Sequence, residues 1–285
     1  MKSKVGVVGN GYVGGAIAHG FSPTATGTSE IRVYDKIPER SLNTLDETVN
    51  ESDFVFVSVP TPMTKGGSIS LKYINQVFKE INGVNRRSDN VIILKSTVVP
   101  GTTEKLQEKF PNLNIVFNPE FLTERSARLD FINQTRIVLG GDKLHTSKVA
   151  TLFDDRFKYC HIIQTDYKTS EMIKYFCNIF FSVKVTFATE MKLICDTIGA
   201  DWEQALEGFV ADGRVGDSHL NVPGPDGKNG FGGSCFPKDI NAFMSFAKDI
   251  GVSTNTINGA WKTNLDVRPE QDWNELKGRA IEEDE

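Results

Sequence analysis

Short apolar runs alternate with longer polar or amphipathic stretches over the first half of the chain. The apolar runs occupy residues 4–8, 31–34, 53–57, 90–94, 114–117 and 136–139. Near-continuous apolar runs separated by helix-sized intervals are typical of parallel strands that helices cover on both faces. The pattern therefore predicts an α/β fold with a doubly wound parallel sheet.

The second half of the chain changes to a helical period. Residues 166–198 contain neither proline nor glycine, with Asp166 as a predicted N-cap and Gly199 as the stop. Apolar residues cover so much of this helix that we expect it to be buried between the first domain and a partner surface. They are Met172, Ile173, Phe176, Ile179, Phe180, Val183 and Phe187.

The order of these elements predicts the domains. A dinucleotide-binding domain would span residues 1–165, and an all-helical central dimerisation domain would span 166–267. Within the second domain, a glycine- and proline-rich loop over 208–233 precedes helices at 237–250 and about 256–267. Residues 268–285 form a tail, and we expect its acidic end, 281–285, to be frayed and exposed.

A glycine-rich turn follows the first apolar run. Three glycines form the pattern G-x-G-x-x-G between a strand and a helix, and the next run ends in an acid. The glycines of this Rossmann pattern make the tight turn, admit a pyrophosphate and pack the helix on the strand. The acid would bind the ribose hydroxyls of NAD and repel the 2′-phosphate of NADP. We therefore predict an NAD site, rather than a mere glycine-rich turn, formed by Gly9, Gly11, Gly14 and Asp35, with Tyr12 and Val13 inside the turn.

Polar residues follow the other predicted strands, in segments 58–62, 95–97 and 118–124. Ligands of open parallel sheets bind outside the carboxyl ends of the strands, which makes these residues site candidates. Each could instead cap the helix that follows it. We favour a functional role for Thr97 and Glu124, and both interpretations stay open for Glu120.

A cysteine lies at the mouth of a predicted helix behind a glycine-rich approach, in residues 230–239. Pro237 is favoured at the first helical position, which places Cys235 beside unpaired backbone N–H groups. Those groups and Lys238 would stabilise a thiolate, and Asp239 would face the same side one turn further on. The alternative is that Cys235 is a small buried hydrophobic residue.

Lys174 and Asn178 stand four positions apart in the predicted long helix. They share one face, so a cation and an amide would point at one spot. The alternative for Lys174 is an ordinary solvated charge. His219 is a single histidine in the predicted loop with no visible orienting partner, and we leave it out of the site.

Composition excludes several classes of function. The formal charge of −5 gives no basic surplus for binding nucleic acid. No apolar run approaches the ~20 residues of a membrane span, and no secretory segment is visible, so we expect a cytoplasmic protein without membrane contact. The four cysteines are scattered without a CxxC pair, and we expect no metal site or disulfide framework.

Together these motifs resemble the nucleotide-sugar dehydrogenase family over nearly the whole chain. The resemblance rests on the glycine-rich turn, the pair Lys174 and Asn178, and the segments 59–62, 96–102, 118–122, 214–216 and 230–239. It implies NAD-dependent, four-electron oxidation of the C6 alcohol of a nucleotide sugar to a uronate. The expected conversion is UDP-glucose to UDP-glucuronate.

The resemblance also implies roles for individual residues. Cys235 would be the nucleophile, and Glu124 would take part in thioester hydrolysis. Asp239 and Thr97 would position a water or a proton. Lys174 and Asn178 would stabilise oxyanion charge. Further implied cofactor contacts are Pro60, Thr61, Thr97 and Lys238, and the implied substrate contacts are Glu120, Phe121, Leu122, Lys174, Asn178, Arg214, Phe231 and Gly232.

Two features depart from the family pattern. Family members usually carry a third, nucleotide-binding domain beyond a long central helix, and we expect this chain to be a short form that lacks it. Arg125 stands where the family often has glycine.

Two other functions stay open. A two-electron β-hydroxyacid dehydrogenase joins the same kinds of domain and uses a lysine, but it has no need of Cys235. The third hypothesis is a weakly active NAD-binding protein that needs a partner for nucleotide-sugar binding. The apolar helix over 166–198 favours a homodimer.

Overall fold

The computed structural model describes residues 3–22 and 29–283, except for the side chain of Ser29. The chain packs as two compact units. The first contains the described residues up to Thr61 together with Leu71–Lys174, and the second contains Pro62–Ser70 and the residues from Tyr175 onward. The domain bounds predicted at 165 and 267 stay predictions.

The first unit is built on one sheet. Its strands are β1 (Ser3–Val8), β2 (Ser29–Tyr34), β3 (Phe54–Val57), β4 (Val91–Leu94), β5 (Ile115–Phe117), β6 (Arg136–Gly141) and β7 (His161–Thr165). Among the described residues these seven strands pair in the order β2-β1-β3-β4-β5-β6-β7. The order reverses at β1, and such a switch point is where α/β sheets bind ligands.

Helices connect the strands and cover the sheet. They are α1 (Tyr12–Phe21), α2 (Leu45–Asn50), α3 (Lys72–Val84), α4 (Thr102–Lys109), α5 (Ala127–Ile132) and α6 (Lys143–Arg156). Alternate residues of β4 belong to two separate apolar clusters: Val91 and Ile93 belong to the cluster that contains Phe21, whereas Ile92 and Leu94 belong to the cluster that contains Phe78. Because successive strand residues face opposite ways, the sheet is covered on both faces, and the predicted fold class is confirmed.

The far edge of the sheet differs from the prediction. The run 136–139 was expected to be a parallel strand, but β6 pairs antiparallel with β5 through Val116 with Gly141 and Phe117 with Gly140. That prediction was wrong because an apolar run reports burial and carries no information on strand direction. β7, which pairs parallel with β6, was not predicted because its residues are half-buried or exposed and partly polar.

The long helix α7 (Tyr167–Ile198) supplies residues up to Lys174 to the first unit and the rest to the second. The Asp166 carboxylate accepts a hydrogen bond from the Thr169 N–H at 2.8 Å, and Gly199 has φ of +72°. The predicted cap and stop are therefore confirmed. Three shorter helices follow, α8 (Trp202–Val210), α9 (Phe236–Asp249) and α10 (Asn255–Val267).

Helix α8 was not predicted and shortens the expected loop. Residues 208–210, which we assigned to the loop, are its last turn. The Asp201 side chain caps this helix by accepting a hydrogen bond from the Gln204 N–H at 3.1 Å. The glycine at 208 misled the prediction because glycine lowers helix propensity without forbidding a helix.

Several residues of α7 that we expected to be buried are exposed. Phe176, Phe180 and Phe187 are 64%, 59% and 47% exposed. Met191, Ile194 and Ile198 are exposed as well. Their spacing of three, four and seven positions places all six on one helix face, which we call the apolar row. The expectation that this helix is buried is not met within a single chain.

The C-terminal segment is docked rather than frayed. Trp273 is 1% exposed and Ala280 is fully buried. The Met63 N–H donates to the Ala280 carbonyl at 2.8 Å, and the Glu282 N–H donates to the Met63 carbonyl at 2.9 Å. The prediction of a frayed end is therefore wrong for residues 281–282, because a buried tryptophan and backbone pairing anchor them. Residues 284–285 lie outside the described residues.

Candidate functional site

The glycine-rich turn between β1 and α1 depends on close backbone approaches. Gly9 has φ of +93°, and its N–H donates to the Tyr34 carbonyl at 2.9 Å. A Cβ at Gly9 would lie 2.6 Å from the Ser58 carbonyl oxygen, and a Cβ at Gly14 would overlap the Gly9 carbonyl. Only glycine fits these two positions.

The space beside Gly11 is open, and the Asp35 carboxylate is held close to the same turn. Of the described residues, none has an atom within 4 Å of a Cβ built on Gly11, which is the N-cap of α1. The Asp35 carboxylate accepts hydrogen bonds from two backbone N–H groups, including that of Asn10 at 2.6 Å. Tyr12 and Val13 lie in the first turn of α1 and pack on the core. An open helix start beside a fixed carboxylate fits a dinucleotide.

The carboxyl ends of β3 and β4 carry three more of the predicted residues. The Ser96 hydroxyl donates to the Val59 carbonyl at 2.7 Å, which links the segments that follow the two strands. Thr97 is half-buried, Thr61 is buried and Pro60 is exposed. Thr97 and Thr61 therefore lie at the edge of the sheet where a ligand was expected, and their roles stay predictions.

Two buried lysines hold the segment that follows β5. The Lys174 ammonium donates to the Glu120 carbonyl at 2.5 Å and lies 3.8 Å from the Glu120 carboxylate. The Lys95 ammonium donates to the Asn118 side-chain oxygen at 3.0 Å and to the Pro119 carbonyl at 3.1 Å. Since Lys174 is only 4% exposed, the alternative of a solvated charge is excluded.

Lys95 was missed as a site residue. Burial lowers the pKa of Lys95 to about 8, a shift that the Glu120 carboxylate opposes and the Lys174 charge reinforces. The signal available in the sequence was a lysine directly after a four-residue apolar strand, where a charged side chain is unusual. Two cations therefore share the surroundings of one carboxylate.

The neighbouring Phe121 lies against cations. Its ring centroid is 4.3 Å from the Arg136 guanidinium and 5.7 Å from the Lys174 ammonium. The Leu122 N–H donates to the Glu120 carboxylate. Glu120 is thus buried beside Lys95 and Lys174, and its carboxylate accepts a hydrogen bond from within the segment that follows β5.

Glu124 has different surroundings. It is exposed at the start of the 3₁₀ turn Glu124–Ser126. A carboxylate is suited to activating water when burial raises its pKa, and the exposed position of Glu124 does not provide such burial.

A buried glutamate that the sequence did not indicate organises the turn before α4. Glu171 is fully buried and accepts hydrogen bonds from the Gly101 N–H at 2.5 Å and the Thr103 N–H at 2.8 Å. Burial raises the pKa of Glu171 to about 7, although these hydrogen bonds and one from the Thr103 hydroxyl oppose the shift. Glu171 therefore ties helix α7 to the turn that follows Thr97.

In the second unit, Cys235 is the N-cap of α9, with Pro237 in the first turn. The Asp239 N–H donates to the Cys235 carbonyl at 2.8 Å. The Asp239 carboxylate is buried and accepts hydrogen bonds from Asn178 and Lys238, each at 2.5 Å. A buried carboxylate requires such partners. The hydrogen-bonded Asp239 therefore fixes the start of the helix that carries the Cys235 thiol.

The start of α9 and the burial of Cys235 can be compared with the predictions made for this cysteine. The helix begins at Phe236, and Pro237 is therefore its second residue rather than its first. Cys235 is half-buried, so it is not the fully enclosed hydrophobic residue of the alternative interpretation. None of the four cysteines, all of which lie in the described residues, forms a disulfide.

The remaining predicted substrate contacts lie in different surroundings. Phe231 is 4% exposed and Gly232, the next residue, is half-buried. The Arg214 side chain is 89% exposed and forms an ion pair with Asp212 at 2.5 Å. The ring of His219, which we left out of the site, stacks on Phe181 with centroids 4.1 Å apart.

Two kinds of site are not found over residues 3–22 and 29–283. No three His, Cys, Asp or Glu residues there lie close enough together to hold a metal ion. No helix in the same range is both long and apolar enough to cross a bilayer.

Comparison with protein-family models gives two matches that follow one another along the chain. The NAD binding domain of the UDP-glucose/GDP-mannose dehydrogenase family matches residues 39–156. The central domain of the same family matches residues 168–266.

Curated relatives are similar over most of this chain. UDP-glucose 6-dehydrogenase TuaD of Bacillus subtilis is 34% identical over 231 residues, which are 78% of this chain and 48% of the relative. The UDP-glucose 6-dehydrogenase of Rickettsia conorii is 34% identical over 230 residues, 78% of this chain and 51% of the relative. The chain thus spans about half the length of the curated relatives it matches.

Solved structures share the fold. A UDP-glucose dehydrogenase from Pyrobaculum islandicum matches with a TM-score of 0.79 and 27% identity, covering 93% of this chain and 68% of that chain. A 3-hydroxyisobutyrate dehydrogenase from Mycobacterium tuberculosis matches with a TM-score of 0.76 and 16% identity, covering 95% of both chains. At that identity the second match shows the fold alone.

The buried Lys95 predicts a pH-dependent stability. Burial penalises its ammonium form in the folded protein only, so the penalty is complete below pH about 8 and absent above the ordinary pKa of 10.5. The free energy of unfolding of the wild type, relative to Lys95→Met, should therefore rise as the pH increases from about 8 to 10.5. Urea denaturation of both proteins across this range measures the difference. Lys105→Met, at an exposed lysine, is the control and should show no such rise; an equally flat difference for Lys95→Met would contradict the buried site.

Proposed function

Because the chain belongs to the UDP-glucose/GDP-mannose dehydrogenase family, we propose that it oxidises the C6 alcohol of a nucleotide sugar to a carboxylate with NAD. The proposed substrate is UDP-glucose, after the names of the curated relatives. The observation that carries the proposal is the position of Cys235 at the start of α9. Its carbonyl accepts a hydrogen bond from the Asp239 N–H, and the Asp239 carboxylate accepts hydrogen bonds from Asn178 and Lys238.

The proposed reaction needs a group that retains the aldehyde. Oxidation of a primary alcohol to a carboxylate removes four electrons, so two molecules of cofactor act in sequence. When bound, NAD supplies the acceptor for the hydride in each oxidation. The aldehyde produced by the first oxidation must stay on the protein until the second, and covalent attachment to a thiol achieves this.

Cys235 would make and break one bond to the sugar. Its thiolate adds to the aldehyde carbon, the carbonyl π bond opens onto oxygen, and that oxygen takes up a proton to give a thiohemiacetal. Oxidation of the thiohemiacetal gives a thioester. Water then attacks the thioester carbon, the carbon–sulfur bond breaks, and the thiolate leaves while the sugar keeps the carboxylate.

Two groups are proposed to stabilise negative charge on the C6 oxygen. The Lys174 ammonium is buried and already held by the Glu120 carbonyl, so little reorganisation is needed when charge develops. Asn178 directs its amide to Asp239, which fixes the orientation of its side chain. Loss of one preorganised donor of this kind typically costs about 10²–10³ in rate.

Three further residues are proposed to handle water and protons. Asp239 lies one turn after Cys235, and its carboxylate accepts hydrogen bonds from Asn178 and Lys238. Thr97 offers a half-buried hydroxyl at the end of β4. Glu124 is exposed, so a role in thioester hydrolysis requires that bound substrate cover it.

Cofactor and substrate recognition follow from other residues. Asp35 favours the ribose hydroxyls of NAD over the 2′-phosphate of NADP. Pro60, Thr61 and Lys238 are proposed as further cofactor contacts, although the Lys238 ammonium also neutralises Asp239. The proposed substrate contacts are Glu120, Phe121, Leu122, Lys174, Asn178, Arg214, Phe231 and Gly232.

We also infer that a second copy of the chain covers the apolar row of α7. Six large apolar side chains along one face leave water-exposed apolar surface that association would bury. A cytoplasmic location and a role in polysaccharide biosynthesis stay predictions.

The four-electron reaction predicts its stoichiometry. The wild type should form two NADH for each UDP-glucuronate, and Cys235→Ser should abolish uronate formation because the aldehyde is no longer retained. Absorbance of NADH together with chromatography of the sugar product measures both quantities. Cys160→Ser changes another half-buried cysteine and should leave the ratio at two. One NADH per sugar with an unimpaired Cys235→Ser variant would instead identify a two-electron dehydrogenase.

The proposed dimer predicts an effect of charge in the apolar row. Phe180→Glu places a carboxylate where the interface would exclude water, so the variant should be monomeric while the wild type is a dimer by light scattering. Tyr159→Glu, at a fully exposed aromatic residue of the first unit, should remain dimeric. A monomeric wild type would refute the interface.

A further inference from the structure

We propose that Asn264 and Arg268 are positioning residues that hold the loop in front of Cys235. We call this segment, residues 226–234, the cysteine loop. Asn264 lies in the last turn of α10, and Arg268, four residues later, directly follows that helix. The inference rests on the proposed function only in taking Cys235 as the nucleophile.

Asn264 pairs with the backbone of the loop. It is fully buried, its side-chain oxygen accepts a hydrogen bond from the Phe231 N–H at 2.7 Å, and its side-chain nitrogen donates to the Phe231 carbonyl at 3.0 Å. Both backbone polar groups of a buried residue are thus satisfied by one amide. An apolar residue at position 264 would leave both groups without these partners, which is costly in a buried site.

Arg268 holds the loop by charge. It is 1% exposed, and its guanidinium donates to Asp226 at 2.7 Å and to Asp272 at 2.6 Å. A second hydrogen bond to Asp272 measures 3.0 Å, and a longer one reaches the Asn229 carbonyl at 3.5 Å. Asp226 lies in the cysteine loop and Asp272 in the docked C-terminal segment, so one buried cation joins the two.

The glycines of the loop match these side chains. Gly230 has φ of +67°, and a Cβ there would overlap the Asn264 side-chain oxygen. A Cβ at Gly232 would lie 2.6 Å from the central guanidinium carbon of Arg268. At Gly232, where the backbone is not left-handed, the three atoms nearest to such a Cβ all belong to the Arg268 guanidinium, so a side chain there would displace that group.

Contacts between the cysteine loop and the start of α9 make the position of the Cys235 thiol depend on the position of the loop. Phe231 packs edge-to-face on Phe236, with ring centroids 6.0 Å apart, and also contacts Trp261. Phe236 is the first residue of α9, and Cys235 lies between it and the loop. A displaced loop therefore moves the sulfur, and a displacement of about 1 Å at a reacting atom can cost about 10²-fold in rate.

The test measures Cys235 directly, without nucleotide sugar. Asn264→Ala and Arg268→Ala should lower the rate of iodoacetamide alkylation of Cys235 several-fold, because a displaced loop moves the sulfur from its place at the start of α9. Peptide mass spectrometry follows Cys235, and Cys160, in the first unit, is the internal reference. Asn258→Ala, at an exposed asparagine of α10, is the matched control and should react like the wild type. Circular dichroism confirms that each variant is folded; unchanged or faster alkylation in folded variants overturns the proposal.

A double-mutant cycle separates positioning from general destabilisation. Gly232→Ala should slow alkylation strongly in the wild-type background, where its Cβ meets Arg268. The same change should have little effect in the Arg268→Ala background, because the colliding group is absent. Equal effects in both backgrounds contradict the proposed contact, and this result stands even where single variants lose stability.

Activity then distinguishes this inference from the proposed function. With UDP-glucose and NAD, Asn264→Ala should lower kcat by about 10²-fold with a smaller change in KM, and Asn258→Ala should not. If the wild type makes no uronate but alkylation follows the predicted pattern, the proposed function fails and the positioning role holds. If uronate forms and both alkylation and kcat are insensitive to Asn264, the positioning role fails alone.

Discussion

A charge cannot be buried without partners, and at the carboxylate of Asp239 this constraint organises the second unit. Asp239 is 1% exposed and accepts hydrogen bonds from Asn178 and Lys238, each at 2.5 Å. Its own N–H reaches the Cys235 carbonyl at 2.8 Å. Removing one partner of a buried charge leaves the other group uncompensated, which costs far more than the pair contributes. The helix start that carries the thiol is therefore fixed by a closed set of polar contacts.

The same constraint shapes the first unit. Lys95 and Lys174 are buried around one carboxylate, Glu120, and together they bond three consecutive residues of the segment after β5. Two ammonium groups thus lie near one carboxylate, which suits the proposed stabilisation of negative charge on the C6 oxygen. Glu171 lies one turn before Lys174 on α7 and anchors the turn before α4. The first part of α7 thus positions two loops at once.

Local chemistry explains what could be predicted from the sequence. Gly9 and Gly14 are set by backbone approaches within one turn, and Asp166 and Gly199 bound α7 through contacts with nearby residues. Pairing between distant segments could not be predicted in this way. The direction of β6 and the docking of the C-terminal segment depend on such pairing. Asn264 resembles an ordinary polar residue of an amphipathic helix, because its partner Phe231 lies 33 residues away.

In the proposed mechanism, the sulfur of Cys235 carries the sugar between the two oxidations. Mass spectrometry of the protein, quenched in acid during turnover of UDP-glucose with NAD, tests this most directly. We expect an added mass on the peptide containing Cys235, equal to the nucleotide sugar at the oxidation level of the thioester and absent without NAD. Uronate formation with no adduct on Cys235 at any quench time, or an adduct on a different side chain, would contradict it.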